Sequence, residues 1–418
     1  MAAGGIVAVL AGCGPTTLAG SATKAQPTSG SSQPAMAGSG SGPASPSATT
    51  APPSASGSYT FKTLDDSADL TFNQTLGINN EGTIAAYFGS GAQGHPNKGY
   101  GLTYSPGGFR LQNENVPGST QTQVTGLNDR GVTVGFWSDM NNANQTNDNF
   151  GFYDVDGSFR SVKYPASSNS NPPVNQLLGV NDEDVAVGFY TDASGNSHGY
   201  TYSIRTGKFG NVTIPGATSV TASAINNSGD IAGFFANSAD TTDSFLWTGR
   251  GHVTTLSVPG ASATQALGVN DSKEVVGVYT IGSGSGAVTH GFTWSAKHGF
   301  KTVDDPNGAG TTTINGVNDQ GDIVGFYTDT AGNTDGFAAV PGANIMIPNI
   351  AGLTTTPTAA ASPTQSSSMS QPTMAPTTGA TSRASTAPTT GITATQPARQ
   401  PGPTPSAPAT GPLAPVHW

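Results

Sequence analysis

The stretch Gly316-Val-Asn-Asp-Gln-Gly-Asp-Ile323 belongs to a type of segment that the chain contains six times. In each copy a Gly or Ala and an aliphatic residue precede an asparagine, and a second Asn or Asp follows it. Successive copies are 49, 53, 45, 44 and 48 residues apart, and their shared asparagines are Asn79, Asn128, Asn181, Asn226, Asn270 and Asn318. This regular recurrence predicts a repeat architecture of six units.

Each unit contains several strand-like runs. In the fifth copy they are residues 265–270, 274–280, 290–295 and 299–304, rich in β-branched and aromatic residues and bounded by turn-forming residues. No segment shows a sustained apolar period of 3.6 residues, so we expect almost no helix. Four strands in a repeat of this length are typical of a β-propeller blade.

The two ends of the repeat region complement each other. The sixth copy stops before its fourth strand, and the orphan segment Tyr59-Thr-Phe-Lys-Thr-Leu-Asp-Asp66 upstream of the first copy matches Gly299-Phe-Lys-Thr-Val-Asp-Asp305. We therefore predict an all-β, six-bladed β-propeller in which residues 59–66 complete the last blade. Such closure removes exposed edge strands, which invite aggregation. An open β-solenoid and a seven-bladed propeller stay as alternatives.

The repeat also contains a later His-Gly-aromatic motif, kept at His198 and His290, and Pro-Gly-Ala links between units. Together these elements resemble the HAF family of extracellular repeat proteins. The resemblance covers residues 59–342. It implies export and a propeller-like β-fold, and it implies no established reaction.

Composition divides the chain into segments. Residues 14–58 and 343–418 consist mainly of Ala, Ser, Thr, Pro and Gly, and we expect them to be disordered. Residues 59–342 hold all 25 acidic residues and 12 of the 15 basic ones, which gives this part a net charge of −13. Such a domain repels phosphate backbones, so nucleic acid is not an expected partner. We expect one globular unit and a monomer.

The N-terminus is similar to a lipoprotein signal peptide. A short apolar run ends in Leu10-Ala-Gly-Cys13, and residues 1–13 resemble a leader with a lipobox, in which Cys13 would be acylated. The run is too short to span a bilayer, whereas a two-chain lipid anchor is stable. The segment before the run has no Lys or Arg, unlike most leaders. We expect an exported protein that is secreted or held at the cell surface through a lipid on Cys13.

The repeated asparagines are the candidate binding residues. If their strands line the central channel, Asn79, Asn128, Asn181, Asn226, Asn270 and Asn318 would surround one mouth and offer amides to a sugar or an ion. Alternatively, each asparagine caps its own hairpin, and its presence in every copy favours that structural role.

Metal and cofactor sites find little support. The six histidines show no metal-ligand spacing, and we expect neither a metal nor a cofactor. Structural calcium stays a minor alternative at Asp154–Ser158 and Asn318–Asp322, but neither forms the twelve-residue loop that ends in Glu, and tight hairpins need the same residues.

Three hypotheses for function follow. The first is a binding module that presents its loop face to a glycan or a protein, where the insertions 140–149 and 167–173 break the repeat. The second is a polysaccharide hydrolase or lyase that uses non-repeated acids such as Glu114 or Asp148. The third is a passive envelope or wall protein. Because no catalytic motif is found, we expect a binding protein rather than an enzyme.

Overall fold

The computed structural model describes residues 52–55, 58–92, 94–105, 108–138, 148–169, 173–238, 241–249 and 251–342. This part of the chain is all-β and has a β-propeller arrangement. Its only helices are two short 3-10 helices, Pro165–Asn169 and Gly284–Gly286, so the expected scarcity of helix is confirmed for the described residues. None of these helices is long and apolar enough to cross a membrane.

The strands follow the sequence repeat. The closing strand and the first two repeats contain β1 (Tyr59–Thr63), β2 (Asn73–Ile78), β3 (Ile84–Phe88), β4 (Lys98–Ser105), β5 (Gly108–Asn113), β6 (Gln121–Leu127), β7 (Thr133–Ser138), β8 (Phe150–Val155) and β9 (Ser158–Val162). The third and fourth repeats contain β10 (Asn175–Val180), β11 (Val185–Thr191), β12 (Ser197–Ser203), β13 (Lys208–Val212), β14 (Ala217–Ile225), β15 (Ile231–Asn237), β16 (Thr242–Thr248) and β17 (His252–Leu256). The last two contain β18 (Ala263–Val269), β19 (Val275–Ile281), β20 (Val288–Ser295), β21 (Gly299–Thr302), β22 (Thr313–Val317), β23 (Ile323–Thr328) and β24 (Thr334–Pro341).

Neighbouring strands of a repeat pair antiparallel in sequence order, and the first hairpin of each repeat contains a bulge. In the fifth repeat the bulge lies between Ala266 and Gly268. A Cβ on Gly277, in the paired strand, would lie 2.0 Å from the carbonyl oxygen of Gln265, so the bulge requires glycine there.

The closing strand pairs as the sequence predicts. β1 lies antiparallel to β24, from Tyr59 opposite Pro341 to Thr63 opposite Phe337, and completes a four-stranded sheet with β22 and β23. The N-terminal segment therefore supplies the fourth strand of the last repeat, so the sheet of that repeat has four strands.

The division into sheets differs from six separate blades. Hydrogen bonding gives four separate four-stranded sheets and one larger sheet that runs from β14 to β21. Its two halves are joined only by a parallel pair, Thr242 with Ala263. Comparable parallel bridges link other neighbouring repeats, such as Asn149 with Val174, but those contacts lie outside the named strands. A contact between repeats that falls inside two regular strands thus merges their sheets.

The core lies between the sheets. Each pair of neighbouring repeats buries its own apolar cluster, including the sixth with the first. The aromatic residue near the start of each third strand is buried in these clusters, with 0–5% exposure: Tyr100, Phe152, Tyr200, Phe245, Phe292 and Phe337. Each sheet is therefore covered on both faces, which explains why the repeats contain apolar residues on both sides of their strands.

The folded part begins slightly earlier than the sequence boundary at residue 59. Ser54, within the segment predicted as a disordered linker, forms a parallel bridge with Thr302, because the backbone of 53–55 bonds the free edge of β21. The other predicted terminal segments, namely the leader 1–13 with Cys13, most of 14–58 and the tail 343–418, lie outside the described residues.

Candidate functional site

The strands present two opposite ends. At one end, which we call the hairpin face, lie the turns between the first and second strands of each repeat, such as 181–185. At the other end, the link face, lie the connections from one repeat to the next, such as 163–174. The six predicted asparagines lie at the hairpin face.

The repeated asparagines cap their own hairpins. In the second repeat the Asn128 Oδ1 accepts the backbone N–H groups of Arg130 and Val132, at 3.0 and 2.9 Å. Corresponding hydrogen bonds occur in the other repeats. The capping interpretation from the sequence is therefore confirmed.

The same side chains also join the repeats into a ring, which the sequence did not predict. Each Asn Nδ2 donates to the backbone carbonyl of the corresponding asparagine in the next repeat, at 3.0–3.2 Å, and Asn318 donates to Asn79 to close the circle. The six asparagines are 4–6% exposed. The structure thus brings all six together around one axis with both ends of each amide engaged, and a contact with a ligand stays a prediction.

The residues that follow these asparagines form an outer rim: Asn80, Asp129, Asp182, Asn227, Asp271 and Asp319. The Oδ1 atom of each accepts the backbone N–H of the rim residue in the preceding repeat, at 2.7–2.9 Å. The two rim amides, on Asn80 and Asn227, each donate to the carboxylates on both sides. The side chains of the rim therefore have spare acceptor positions and no spare donor.

A shallow cavity of about 70 Å³ lies inside this rim. Below the asparagines it is lined by Ile78, Leu127, Val180, Ile225, Val269 and Val317. None of the four rim carboxylates forms an ion pair within the described part of the chain. Nor do the described residues contain a group of three or more His, Cys, Asp or Glu side chains placed to hold a metal ion. The mouth is a small acidic depression of hydrogen-bond acceptors.

The link face of the second and third repeats has a different chemistry. Three half-buried rings, which we call the aromatic surface, lie there: Tyr164, Tyr190 and His198. Trp137 and Phe150, with ring centroids 5.0 Å apart, form a separate pair, and Trp137 packs against the cluster between the first and second repeats. Tyr190 stacks between Tyr164, at 4.2 Å, and His198, at 5.0 Å. The sequence search missed this group because its members come from three separate segments.

Polar edges border the aromatic surface. The Tyr164 hydroxyl donates to the Oδ1 of Asn211 at 2.8 Å. The His198 Nε2 lies 2.9 Å from an Asp192 carboxylate oxygen, and this hydrogen bond lowers the pKa of Asp192. The rings are therefore fixed in place, with hydrogen-bonding groups beside them.

Tyr164 distinguishes this surface from the equivalent positions elsewhere. The Tyr164 backbone N–H donates to the side chain of Asn175, the first residue of the next repeat. In other links the residues whose backbone N–H makes the equivalent hydrogen bond are Val116, Val258, Asp66 and Asp305. Only the second link places an aromatic ring there. The fifth repeat has the Tyr279–His290 stack, at 5.3 Å, without a third ring. The aromatic surface thus belongs to one junction and is not part of the repeat.

The acids suggested for catalysis include one that is deeply buried. Glu114 is 3% exposed and accepts hydrogen bonds from Gln112 and Thr133. Burial, with the charge of Asp154, raises the pKa of Glu114. Asp148 lies within the insertion 140–149, of which residues 140–147 are outside the described part. In the Asp154–Ser158 segment the Asp154 carboxylate accepts the Gly157 N–H, as expected for a hairpin turn.

No family model matches the sequence, and no curated protein matches it. Among solved structures, the chain is similar to the SapL1 lectin in complex with alpha methyl fucoside, with 11% identity over 67% of this chain and 99% of that one and a TM-score of 0.42. It is also similar to the β-propeller domain of the Trilobed protease from Pyrococcus furiosus, with 7% identity, 65% and 98% coverage and a TM-score of 0.35.

A third similar structure is TolB from Acinetobacter baumannii, with 12% identity and a TM-score of 0.34. This match covers 56% of the present chain and 63% of the TolB chain, so the chain spans less than two thirds of that protein. These likenesses concern the fold alone.

Proposed function

We propose that this protein is a glycan-binding module and that the aromatic surface at the link face is its binding site. The main observation in support of this proposal is the Tyr164–Tyr190–His198 stack, which occurs at one junction of an otherwise repetitive molecule. Residues that every repeat shares maintain the fold, whereas a cluster built at a single junction has no equivalent structural role in the others. Rigid, half-exposed aromatic rings with polar edges are typical of binding surfaces.

The chemistry of the surface favours a sugar. One face of a pyranose ring carries C–H groups, which pack against the electron-rich face of an aromatic ring, and its hydroxyls hydrogen-bond around the edge. The rings of Tyr164, Tyr190 and His198 would supply the first kind of contact. Asn211 and Asp192 lie beside them and would supply the second. The alternative ligand, a protein, would use the same rings.

The finer architecture is part of this proposal. We infer that the large sheet from β14 to β21 acts as two blades, because a single residue pair joins its halves and each half carries its own asparagine hairpin. The ring then has six blades, each with one link that can vary without disturbing the others. The resemblance to the HAF repeats supports the same arrangement.

We also propose that the protein is exported and anchored by a lipid on Cys13. The apolar run before this residue supports the proposal, since a diacylated cysteine would tether the repeats through the 14–58 segment. Mass spectrometry of the mature N-terminus from cells tests it. An N-terminal diacylglyceryl-cysteine is expected, and an unmodified Cys13 inside a longer N-terminus would contradict it.

Binding to a glycan array tests the ligand. The full chain should bind a subset of glycans, and Tyr164→Val should reduce that binding at least tenfold, because it removes one ring while installing the residue found in two other links, Val116 and Val258. The matched control is His198→Ala against His290→Ala, since both histidines stack on a tyrosine and bond an aspartate. Only the first should lose binding. Equal losses would exclude the aromatic surface as the site.

A further inference from the structure

The seam between the closing strand and the last repeat contains an unusual pair of side chains. At this seam the Leu64 N–H donates to the Gly336 carbonyl at 2.7 Å, and the Gly336 N–H donates to the Asp65 carboxylate at 3.2 Å. The fifth repeat has the same geometry: the Gly291 N–H donates to the Asp304 carboxylate at 3.2 Å. Asp65 and Asp304 are therefore equivalent residues.

The partners of these two aspartates differ. In the fifth repeat the residue before the glycine is His290, and its Nδ1 lies 2.8 Å from the Asp304 carboxylate. In the sixth repeat the residue in that place is Asp335. A histidine–carboxylate pair is thus replaced by two carboxylates at the one seam where the N-terminal strand meets the end of the repeat region.

The surroundings of the acidic pair are also acidic. From β23 the Tyr327 hydroxyl lies 3.1 Å from the Thr63 hydroxyl of β1 and hydrogen-bonds Asp335. Asp329, in the hairpin before β24, adds a further negative charge near Asp65. The link before β22 contributes Asp305, which is 0% exposed and has one carboxylate oxygen without a hydrogen-bond partner.

On the side of the first repeat, the surroundings contain Asp66 and the Tyr100 hydroxyl, which interacts with both Asp65 and Asp66. No Lys, Arg or His forms an ion pair with Asp65 or Asp335 in the described ranges. The two carboxylates therefore repel each other among neutral and negative groups.

These groups disfavour ionisation. Desolvation, followed by the charge of Asp335, raises the pKa of Asp65 to about 6. Desolvation also raises the pKa of Asp335 and of Asp305. The residue Asp65 is exposed as a whole, whereas its hydrogen bond with Gly336 is partly buried, so solvent screens the repulsion only in part.

We propose that the Asp65–Asp335 pair makes closure of the ring proton-dependent: the seam between β1 and β24 is tight in acid and loosens at neutral pH. A protonated carboxyl at either position can share a hydrogen with the other, as paired acids do, whereas two carboxylates repel each other. The strand that closes the circle would thus respond to pH while the fifth repeat, with its His290–Asp304 pair, would not.

The direction follows from linkage. A carboxyl whose pKa is higher in the folded than in the unfolded state stabilises the fold fully below the unfolded pKa, near 4. That stabilisation is lost as the pH rises through the folded pKa, about 6 for Asp65. The seam should therefore weaken between about pH 4 and pH 6 and remain weaker at neutral pH.

Hydrogen exchange of the full chain tests the proposal. After correction for the intrinsic exchange rate, we expect the protection of the β1 amides to fall about tenfold from pH 4.5 to pH 7.5 relative to β21, the matching fourth strand of the fifth repeat. Asp335→His, which installs the pair found in the fifth repeat, should abolish this fall. Asp335→Asn, which removes one charge but leaves Asp65 desolvated, should reduce it.

The matched control is Asp243→His. Asp243 holds the equivalent position in the fourth repeat, but the residue corresponding to Asp65 there is Ser257, so this variant should keep the wild-type fall in β1. Equal protection of β1 and β21 at both pH values in the wild-type chain would overturn the proposal, and this result needs no variant to fold. A fall in Asp335→Asn as large as that of the wild-type chain would also overturn it.

Discussion

The hairpin face and the link face differ in how regularly their residues repeat. At the hairpin face the repeated asparagine donates the same hydrogen bond to the next repeat in all six copies, and these bonds form one closed ring. At the link face the connections differ in length and composition, and the second one places Tyr164 against the rings of the third repeat. The comparison teaches that repetition in this chain maintains closure, whereas departure from repetition marks the surface available for binding.

Removing the closing strand should have the largest effect on the repeated framework. Deleting residues 52–66 leaves the edge of β24 unpaired and removes the contact between Phe61 and Phe337, whose ring centroids are 5.4 Å apart. We expect a loss of at least about 5 kcal/mol in the free energy of unfolding, comparable to the whole stability of a small domain.

Urea unfolding measures this loss, and deletion of residues 343–418 is the control, for which we expect no change in the midpoint. A chain without 52–66 that unfolds at the wild-type urea concentration would show that closure does not stabilise the ring.

The asparagine ring should be the next most sensitive feature. Asn128→Ala removes the bonds to Arg130 and Val132 and the bond to the Asn181 carbonyl, all in a buried site. Each buried bond contributes about 0.5–1.5 kcal/mol, so we expect a loss of about 2–4 kcal/mol in urea unfolding. A loss below 1 kcal/mol would mean that the ring is incidental to stability.

A glycine beside the ring gives a smaller effect. A Cβ on Gly126 would lie 2.8 Å from the Leu178 carbonyl oxygen and 3.0 Å from the Gly179 Cα of the next repeat. Gly126→Ala should therefore cost about 1–3 kcal/mol, as overpacking does. The fourth repeat has Ala224 at this position, and Ala224→Gly is the matched control, expected to change stability by less than about 1 kcal/mol. Thermal unfolding of both variants distinguishes a crowded junction from a tolerant one.

The exposed rim should matter least to stability. Asp129→Asn preserves the acceptor for the Asn80 N–H and installs the residue type that repeats one and four already have, and it removes only the acceptor of one rim hydrogen bond, from the Asn80 amide. We expect a change within about 0.5 kcal/mol in urea unfolding, as for most surface substitutions. A loss as large as that of Asn128→Ala would remove the distinction between the ring and its rim.

The repeated features can be predicted from the sequence because each of them occurs in several similar copies of the repeat. The hairpin caps, the strand order and the pairing of residues 59–63 with the last repeat follow from matches between copies. The Nδ2 bond to the next repeat could not be predicted, because it depends on how closely neighbouring strands approach, and that distance has no local signature. The two halves of the large sheet are joined by one residue pair, Thr242 with Ala263. No repeated sequence pattern predicts this pair.

The aromatic surface could be anticipated only in part. The insertions at 140–149 and 167–173 direct attention to the second and third repeats, but Tyr164 precedes the second insertion and appears in the sequence as an ordinary strand residue. Its significance depends on Tyr190, 26 residues later, which becomes a neighbour only through the turn of the chain into the next repeat. The position of Tyr164 is occupied by Val, Ile or Asp in the other links, and this difference is the sequence signal that could have identified Tyr164.

The most direct test of the difference between the faces is hydrogen exchange of the full chain with and without the glycan that binds best on the array. Bound glycan should increase protection in 163–165 and 189–198 at the link face and leave the asparagine hairpins 79–83 and 128–132 unchanged. Protection confined to those hairpins would place the ligand at the central mouth and contradict the account.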